Sequence, residues 1–325
     1  METSVLRVGL FGATGYAGRE AERLLGLHPR LTPAFATGGE RLSHADGLER
    51  PADAYLLALP HGVSAGFAAR LRREHPEAVV IDLSGDLRLP SAEAYAAWYG
   101  HPHGAPELLG QAPYGLSEVN RPRIAGARLV ANPGCYATSV LLPLLPLVAE
   151  GLVDEQDLVV DAKSGATGAG RTPKAELLFT EVAEDVTAYS PGREHRHVGE
   201  IEAVLEQVTG RRSAVTFCPH LLPVRRGILS SIHVRTEAAP EQLRLALTRF
   251  YAGSAFVRVV DAPPRLADVV GTNDCRISVH AGAKGRAVLF SAIDNLLKGA
   301  AGQAVQNLNL ALGWPETTGL PVAAA

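Results

Sequence analysis

Val5-Leu6-Arg7-Val8-Gly9-Leu10-Phe11-Gly12-Ala13-Thr14-Gly15-Tyr16-Ala17-Gly18 is the stretch that decides the fold. An apolar, β-prone run ends at Phe11, glycines follow at 12, 15 and 18, and residues 19–27 carry helical periodicity. Strand, glycine turn and helix in that order suit a pyrophosphate: the backbone can approach closely, and a helix N-terminus offers unpaired N–H groups with partial positive charge. Thr14 and Tyr16 lie inside the turn and join Gly12, Gly15 and Gly18 as candidate cofactor contacts. The spacing departs from the commoner GxGxxG, so a tight βα turn without a nucleotide is the competing reading.

Further short strands are expected at 54–59 and 78–83, with a helix at 64–74 between them. Strands alternating with helices imply a parallel sheet covered on both faces, which binds ligands beyond the carboxyl ends of its strands. After residue 135 the pattern changes to a helix at 137–150, a strand at 158–162 and a glycine-dense loop at 164–171. Strands at 214–217, 227–235, 256–260, 275–280 and 286–293 follow, interrupted by one helix at 240–251. Few crossover helices point to an α+β domain with a mixed or antiparallel sheet. A last helix at 299–312 can return to the first domain. At 325 residues the chain exceeds one ordinary core. We expect a Rossmann-type doubly wound α/β domain over 1–133 plus 299–325, and a catalytic, substrate-binding and oligomerisation domain of α+β type over 134–298.

A net charge of −3 gives no reason to expect nucleic acid or an anionic membrane as partner, which leaves a small molecule. No apolar run reaches the ~18–20 residues of a membrane span, and the longest, 140–148, contains Pro143 and Pro146. Arg7 interrupts the N-terminal apolar stretch, unlike a signal peptide, so the cytoplasm is the expected compartment. Cys135, Cys218 and Cys275 form no CxxC pair and suit a reducing compartment. No cluster has metal-ligand spacing, and apart from a short alanine tail there is no low-complexity tract.

An NAD enzyme usually ends its second strand with an acidic residue that binds the ribose hydroxyls. Here 31–35 leads into Ala36-Thr37-Gly38-Gly39-Glu40-Arg41, where Thr37 and Arg41 favour NADP and Glu40 opposes it.

Chemistry enters with Asn132-Pro133-Gly134-Cys135-Tyr136, a tight turn that sets a cysteine immediately before a helix. A helix N-terminus favours thiolate over thiol, as a nucleophile requires. Cys218, in an apolar strand, and Cys275 lack that setting. A proton carrier is expected in Gly192-Arg193-Glu194-His195-Arg196-His197-Val198-Gly199-Glu200, where His195 and His197 share a side only if extended; one can be the base and the other a substrate contact. Ser164-Gly165-Ala166-Thr167-Gly168-Ala169-Gly170-Arg171 offers hydroxyls, backbone N–H groups and a guanidinium to a phosphate. It lacks the ending of a P-loop, which disfavours a kinase or ATPase. Arg225 and Arg226 are further anion candidates.

Together with Leu59-Pro60-His61-Gly62, Asp82-Leu83-Ser84-Gly85-Asp86-Leu87-Arg88, Pro219-His220-Leu221-Leu222-Pro223-Val224-Arg225-Arg226-Gly227 and Asp294-Asn295-Leu296-Leu297-Lys298-Gly299, these motifs resemble the N-acetyl-γ-glutamyl-phosphate reductase family, relatives of aspartate-semialdehyde dehydrogenase, over nearly the whole chain. The resemblance implies reduction of an acyl phosphate by NADPH through a thioester on Cys135, with His197 as acid-base. Ser164, Gly165, Thr167, Arg171, His195, Glu200 and Arg225 would hold substrate or phosphate. Pro60, Asn295, Lys298 and Gly299 would lie near the cofactor, and the protein would be a homodimer or homotetramer. Ala137 replaces a proline usual in the family, Thr167 stands where serine is common, and the stretch after Arg41 lacks the usual paired basic residues. Two rival readings are a sister reductase acting on a carrier-linked aminoadipyl phosphate and a non-catalytic NADP-binding regulator.

Overall fold

The computed structural model describes residues 5–322, so the alanine tail lies outside it. The chain divides into two compact units, residues 5–134 with 300–321, and residues 135–299.

In the first unit the chain alternates β1 (Leu6–Phe11), α1 (Tyr16–Leu27), β2 (Leu31–Ala36), α2 (His44–Leu48), β3 (Ala54–Leu57), α3 (Ser64–Glu74), β4 (Val79–Asp82), α4 (Ala92–Tyr99), α5 (Ser117–Ile124) and β5 (Leu129–Ala131). The strands form one parallel sheet in the order β2-β1-β3-β4-β5. Strand order reverses at β1, which opens a crevice beyond the carboxyl ends of β1 and β3. β3 and β4 are buried at every residue, as strands covered on both faces must be. Gly9 is required inside β1 because a Cβ there would lie 2.5 Å from the Phe35 ring and 2.8 Å from that of Tyr55. Phe11 and Phe35 meet edge to face at 5.5 Å over the same spot.

The second unit contains α6 (Cys135–Ala149), β6 (Leu158–Gly165), α7 (Phe179–Val182), β7 (Thr187–Ala188), α8 (His197–Thr209), β8 (Val215–Leu222), β9 (Ile228–Arg235), α9 (Pro240–Phe250), β10 (Val257–Val259), β11 (Cys275–Ala281) and β12 (Arg286–Ile293). Its sheet runs β10-β11-β12-β9-β6-β8-β7. It is mixed, with β6–β8 and β10–β11 parallel and the other pairs antiparallel. α6 is apolar all round, buried from Tyr136 to Val148, and packs on α8, α9, β9 and β12. Ser164 and Gly165, read from sequence as loop, close β6.

The final helix differs from its expected form. Residues Leu297–Ala301 are π-helical, and α10 (Gly302–Ala311) starts only after them. The cause is Asp294: its carboxylate accepts the N–H groups of Leu296 and Leu297, and its carbonyl accepts that of Gly299 five residues on. α10 packs on α1, α5 and β4, and its buried amides are satisfied there. Gln303 donates to the Gly115 carbonyl and the Ser117 hydroxyl, and Asn307 to the Gly115 carbonyl and Asn132. Among the described residues no helix is long and apolar enough to cross a membrane, and no group of three or more His, Cys, Asp or Glu could hold a metal.

Candidate active site

Cys135 is the first residue of α6 itself, which starts two residues before the expected position 137. The turn that delivers it is fixed at Asn132, which is fully buried. Its amide donates to the Ala300 carbonyl and accepts from Asn307, while its carbonyl accepts from the Arg88 guanidinium at 2.8 Å. A fifteen-residue helix then presents its positive end to the sulfur, which is half-buried. Gly299 makes room for this arrangement: a Cβ there would sit 2.8 Å from the Cys135 Cβ. Cys275 is fully buried with its sulfur 3.4 Å from the Ser291 hydroxyl, and Cys218 lies within β8. Neither sits at a helix terminus.

His195 and His197 do come together, by a turn and not by extended backbone. The His197 N–H donates to Nδ1 of His195, and the rings lie 4.8 Å apart. Tyr136, next to the nucleophile in sequence, meets both imidazoles edge on, at 5.6 and 5.9 Å. The two histidines divide their roles. Burial, and then the nearby Arg196 charge, push His195 down to about 4, so near neutrality it is uncharged. With Nδ1 accepting, its proton sits on Nε2, which makes His195 a fixed donor. His197 heads α8 with Nε2 3.9 Å from a carboxylate oxygen of Glu200, a buried partner for an imidazolium.

The glycine loop needs correction. Its backbone N–H groups were expected to face an anion, but those of Gly165, Ala166 and Thr167 donate to the carbonyls of Gly227, Val224 and Arg225. Gly165 is glycine because a Cβ would come within 2.7 Å of the Arg226 nitrogen. The Thr167 hydroxyl donates to the Arg225 carbonyl and accepts from Asn295, whose carbonyl oxygen accepts the Gly227 N–H. Asn295 thus clamps two loops, its amide engaged at both ends. Lys298 is fully buried, its ammonium 5.7 Å from the Phe256 ring. The arginine pair separates. Arg226 is bound to the buried Asp294 at 2.9 Å, while Arg225 and Arg171 are exposed. Of the anion candidates read from the sequence, these two guanidinium groups are exposed, whereas the Ser164 hydroxyl is buried and donates to the Gly165 carbonyl. Gly168 leaves space above that hydroxyl, since a Cβ would meet it at 2.6 Å.

In the first unit Gly12 has φ +81° and a Cβ would strike the Ala58 carbonyl oxygen at 2.2 Å, while one at Gly18 would strike that of Gly12 at 2.1 Å. These two glycines are demanded by the fold. Gly15 is not: a Cβ there would meet only the Gly12 oxygen, at 3.7 Å, so its bareness faces outward. No side chain caps α1, which leaves its N-terminus to a ligand. Tyr16 opens the helix and Thr14 precedes it, while Pro60 lies exposed in the turn after β3. Thr37 corrects another expectation, since it is fully buried, accepts the Gly12 N–H and pairs with His44 at 2.6 Å. It braces the turn from behind. Arg41 is exposed and ion-paired with Glu22 of α1.

Sequence reasoning missed the anchoring role of Asp294, and Tyr189, whose phenol oxygen lies 2.8 Å from that of Tyr136. Asp294 is visible only through its burial. Tyr189 lies in a polar stretch without periodicity.

The sequence model of the semialdehyde dehydrogenase NAD binding domain matches residues 40–127, and that of the semialdehyde dehydrogenase dimerisation domain matches residues 135–295. N-acetyl-γ-glutamyl-phosphate reductase of Rhodospirillum rubrum is 45% identical, with 97% of each chain covered. That of Dehalococcoides mccartyi is 44% identical with 98% of each covered. A probable chloroplastic counterpart from Arabidopsis thaliana is 42% identical over 97% of this chain and 84% of its own. Among solved structures, aspartate semialdehyde dehydrogenase II of Vibrio cholerae complexed with ASA superposes with a TM-score of 0.73 at 18% identity, covering 95% of this chain and 99% of that one. A probable aspartate-semialdehyde dehydrogenase from Pseudomonas aeruginosa gives 0.69 at 24%, with the same coverage. These two matches show the fold, and the identity to the reductases over nearly full length shows more: the chain is an enzyme that belongs to the N-acetyl-γ-glutamyl-phosphate reductase family.

Proposed function

We propose that this protein reduces N-acetyl-γ-glutamyl phosphate to N-acetyl-glutamate 5-semialdehyde and inorganic phosphate, a step of arginine biosynthesis, through a thioester on Cys135 with NADP as cofactor. The observation that carries the reading is a cysteine at the head of a long helix, followed by a tyrosine that touches two histidines, one of them kept neutral by burial.

The first unit suits a dinucleotide, and Gly12, Thr14, Gly15, Tyr16, Gly18 and Pro60 would hold it. Arg41 would exchange Glu22 for the 2′-phosphate, and Thr37 would act through the turn. When bound, NADPH supplies the hydride that reduces the thioester carbon. Cys135 attacks the acyl carbon as thiolate, forming the C–S bond as the C–O bond to phosphate breaks. Arg171 and Arg225 take the departing phosphate. His197, beside Glu200, gives a proton to the oxyanion left by reduction. It takes the proton back as the C–S bond breaks, which frees the aldehyde and restores the thiolate. His195 donates from Nε2 to the substrate.

We further propose a homodimer or homotetramer assembled through residues 135–295, working in the cytoplasm, with no nucleic acid or membrane partner. Cys135→Ala should abolish turnover while NADPH binding, followed by fluorescence, stays within about twofold; a variant keeping a tenth of the wild-type rate would overturn the thioester. Assaying phosphate-dependent oxidation of N-acetyl-glutamate semialdehyde against a carrier-linked aminoadipate semialdehyde tests the substrate, with the free acetylated compound expected to be preferred.

A further inference from the structure

The residue after the nucleophile is the start of a chain of hydroxyl groups. Tyr136 is 2% exposed, and its phenol oxygen lies 2.8 Å from that of Tyr189, just beyond β7. The Ser164 hydroxyl, which donates to the Gly165 carbonyl at 3.1 Å, also lies within hydrogen-bond reach of the Tyr136 oxygen. Tyr189 is fixed in turn by its backbone N–H to the Pro219 carbonyl and by its ring against His195 at 5.9 Å. Among the described residues Tyr136 is the only hydrogen-bond partner of the Tyr189 phenol. Such a row of hydroxyls can point its protons either way, and a negative charge in front of its outer end turns them all outward, each bond strengthening the next.

We propose that Tyr189 is a catalytic residue: its phenol O–H donates a hydrogen bond to the substrate's acyl oxygen as that atom becomes an oxyanion on Cys135, with the Tyr136 phenol donating behind it. The proposal rests on the thioester reading above. Its chemistry requires no transfer of the tyrosine proton. Burial, and then the charge of the neighbouring Cys135, hold the Tyr189 proton on, up to about 12, despite the hydrogen bond from Tyr136. Tyr189 is therefore a donor over the whole working range and not a competitor of His197 as base. A neutral, immobile donor suits the oxyanion because it needs no reorganisation when charge develops. Arg171 and Arg225 serve the phosphate instead.

The test is Tyr189→Phe, which keeps the ring and its packing and removes only the hydroxyl. Wild-type protein is assayed first with N-acetyl-glutamate semialdehyde, phosphate and NADP; absence of turnover there would overturn the proposed function itself, and this proposal with it. Given an active wild type, kcat of Tyr189→Phe should fall about a hundredfold, the usual loss for one oxyanion donor. KM for semialdehyde and phosphate should stay within about threefold, and the rate of Cys135 alkylation by iodoacetamide within about twofold. Tyr136→Phe, which cuts the row behind Tyr189 but leaves its proton, should lose less, about tenfold. Three results would each overturn the proposal: kcat of Tyr189→Phe within threefold of wild type, a loss confined to KM, or an alkylation rate that falls in step with kcat. The last would show that the phenol holds the sulfur and not the oxyanion.

Discussion

Gly299→Ala tests how closely the site is packed around its nucleophile. The added methyl would meet the Cys135 Cβ at 2.8 Å, its Cα at 3.2 Å and the Ile293 Cδ1 at 3.3 Å, so the cysteine is approached from its backbone side and cannot rotate away. Opening the shortest contact from 2.8 Å to an ordinary 3.4 Å displaces the carbon that carries the sulfur by about 0.6 Å. A misplacement of about 1 Å in a reacting group costs roughly a hundredfold in rate, so a tenfold to thirtyfold loss of kcat is expected. Stability should change less. Overpacking costs about 1–3 kcal/mol, and replacing glycine by alanine in a helix returns about 1 kcal/mol. The net is a fall in Tm of no more than about 6 °C. The assay is steady-state oxidation of the semialdehyde beside a thermal melt and NADPH binding, which should be unaltered. A kcat within threefold of wild type would show that the glycine is tolerant and that Cys135 is not held as tightly as the contact implies.

Arg226→Ala strips the buried Asp294 of its cation and should destabilise by about 3 kcal/mol, read by denaturant titration; Arg225→Ala, at an exposed position, should leave the melt unchanged and raise KM for phosphate several-fold. An Arg226→Ala protein as stable as wild type would refute the assignment. His195 gives a pH prediction with a definite sign. Its folded-state pKa is depressed from 6.5 to about 4, so the unfolded chain binds the proton more readily, and the contribution to stability is present above 6.5 and lost as pH falls toward 4. His28 and His44, both lowered chiefly by burial, act in the same direction. His195→Gln should therefore show a shallower fall in denaturation midpoint than wild type between pH 6.5 and 4; parallel curves would exclude a buried neutral His195.

The fold was legible because it rests on hydrophobic periodicity and glycine, both of which survive in a single sequence. The strand expected at 286–293 and the helix at 64–74 coincide with β12 and α3, and β1 differs from its expected bounds by one residue. Both are long patterned segments, whereas β5 has three residues and β7 two, too short for any periodicity. Site residues were harder to read, because a sequence displays polar atoms without showing which are already spent. Thr37, Thr167 and Asn295 have the right chemistry for a ligand, yet each is consumed by an internal hydrogen bond. The N–H groups of the glycine loop are consumed likewise by residues 224–227, some sixty positions away.

That consumption bears on how the proposed phosphate would be held and released. Asp294 holds Arg226, the Gly271 N–H and the N–H groups of Leu296 and Leu297, while Asn295 beside it ties Thr167 to Gly227. Two neighbouring buried side chains thus lock the backbone on both sides of the anion site and set the π-turn that brings Gly299 against Cys135. A phosphate bound by those locked N–H groups would be held in a preformed nest and would leave slowly. One bound by the exposed Arg171 and Arg225 meets long, hydrated side chains whose ordering entropy offsets much of the attraction. On the proposed reading, the fold thus puts its precision at the sulfur and leaves the ion that must depart to groups that can let it go.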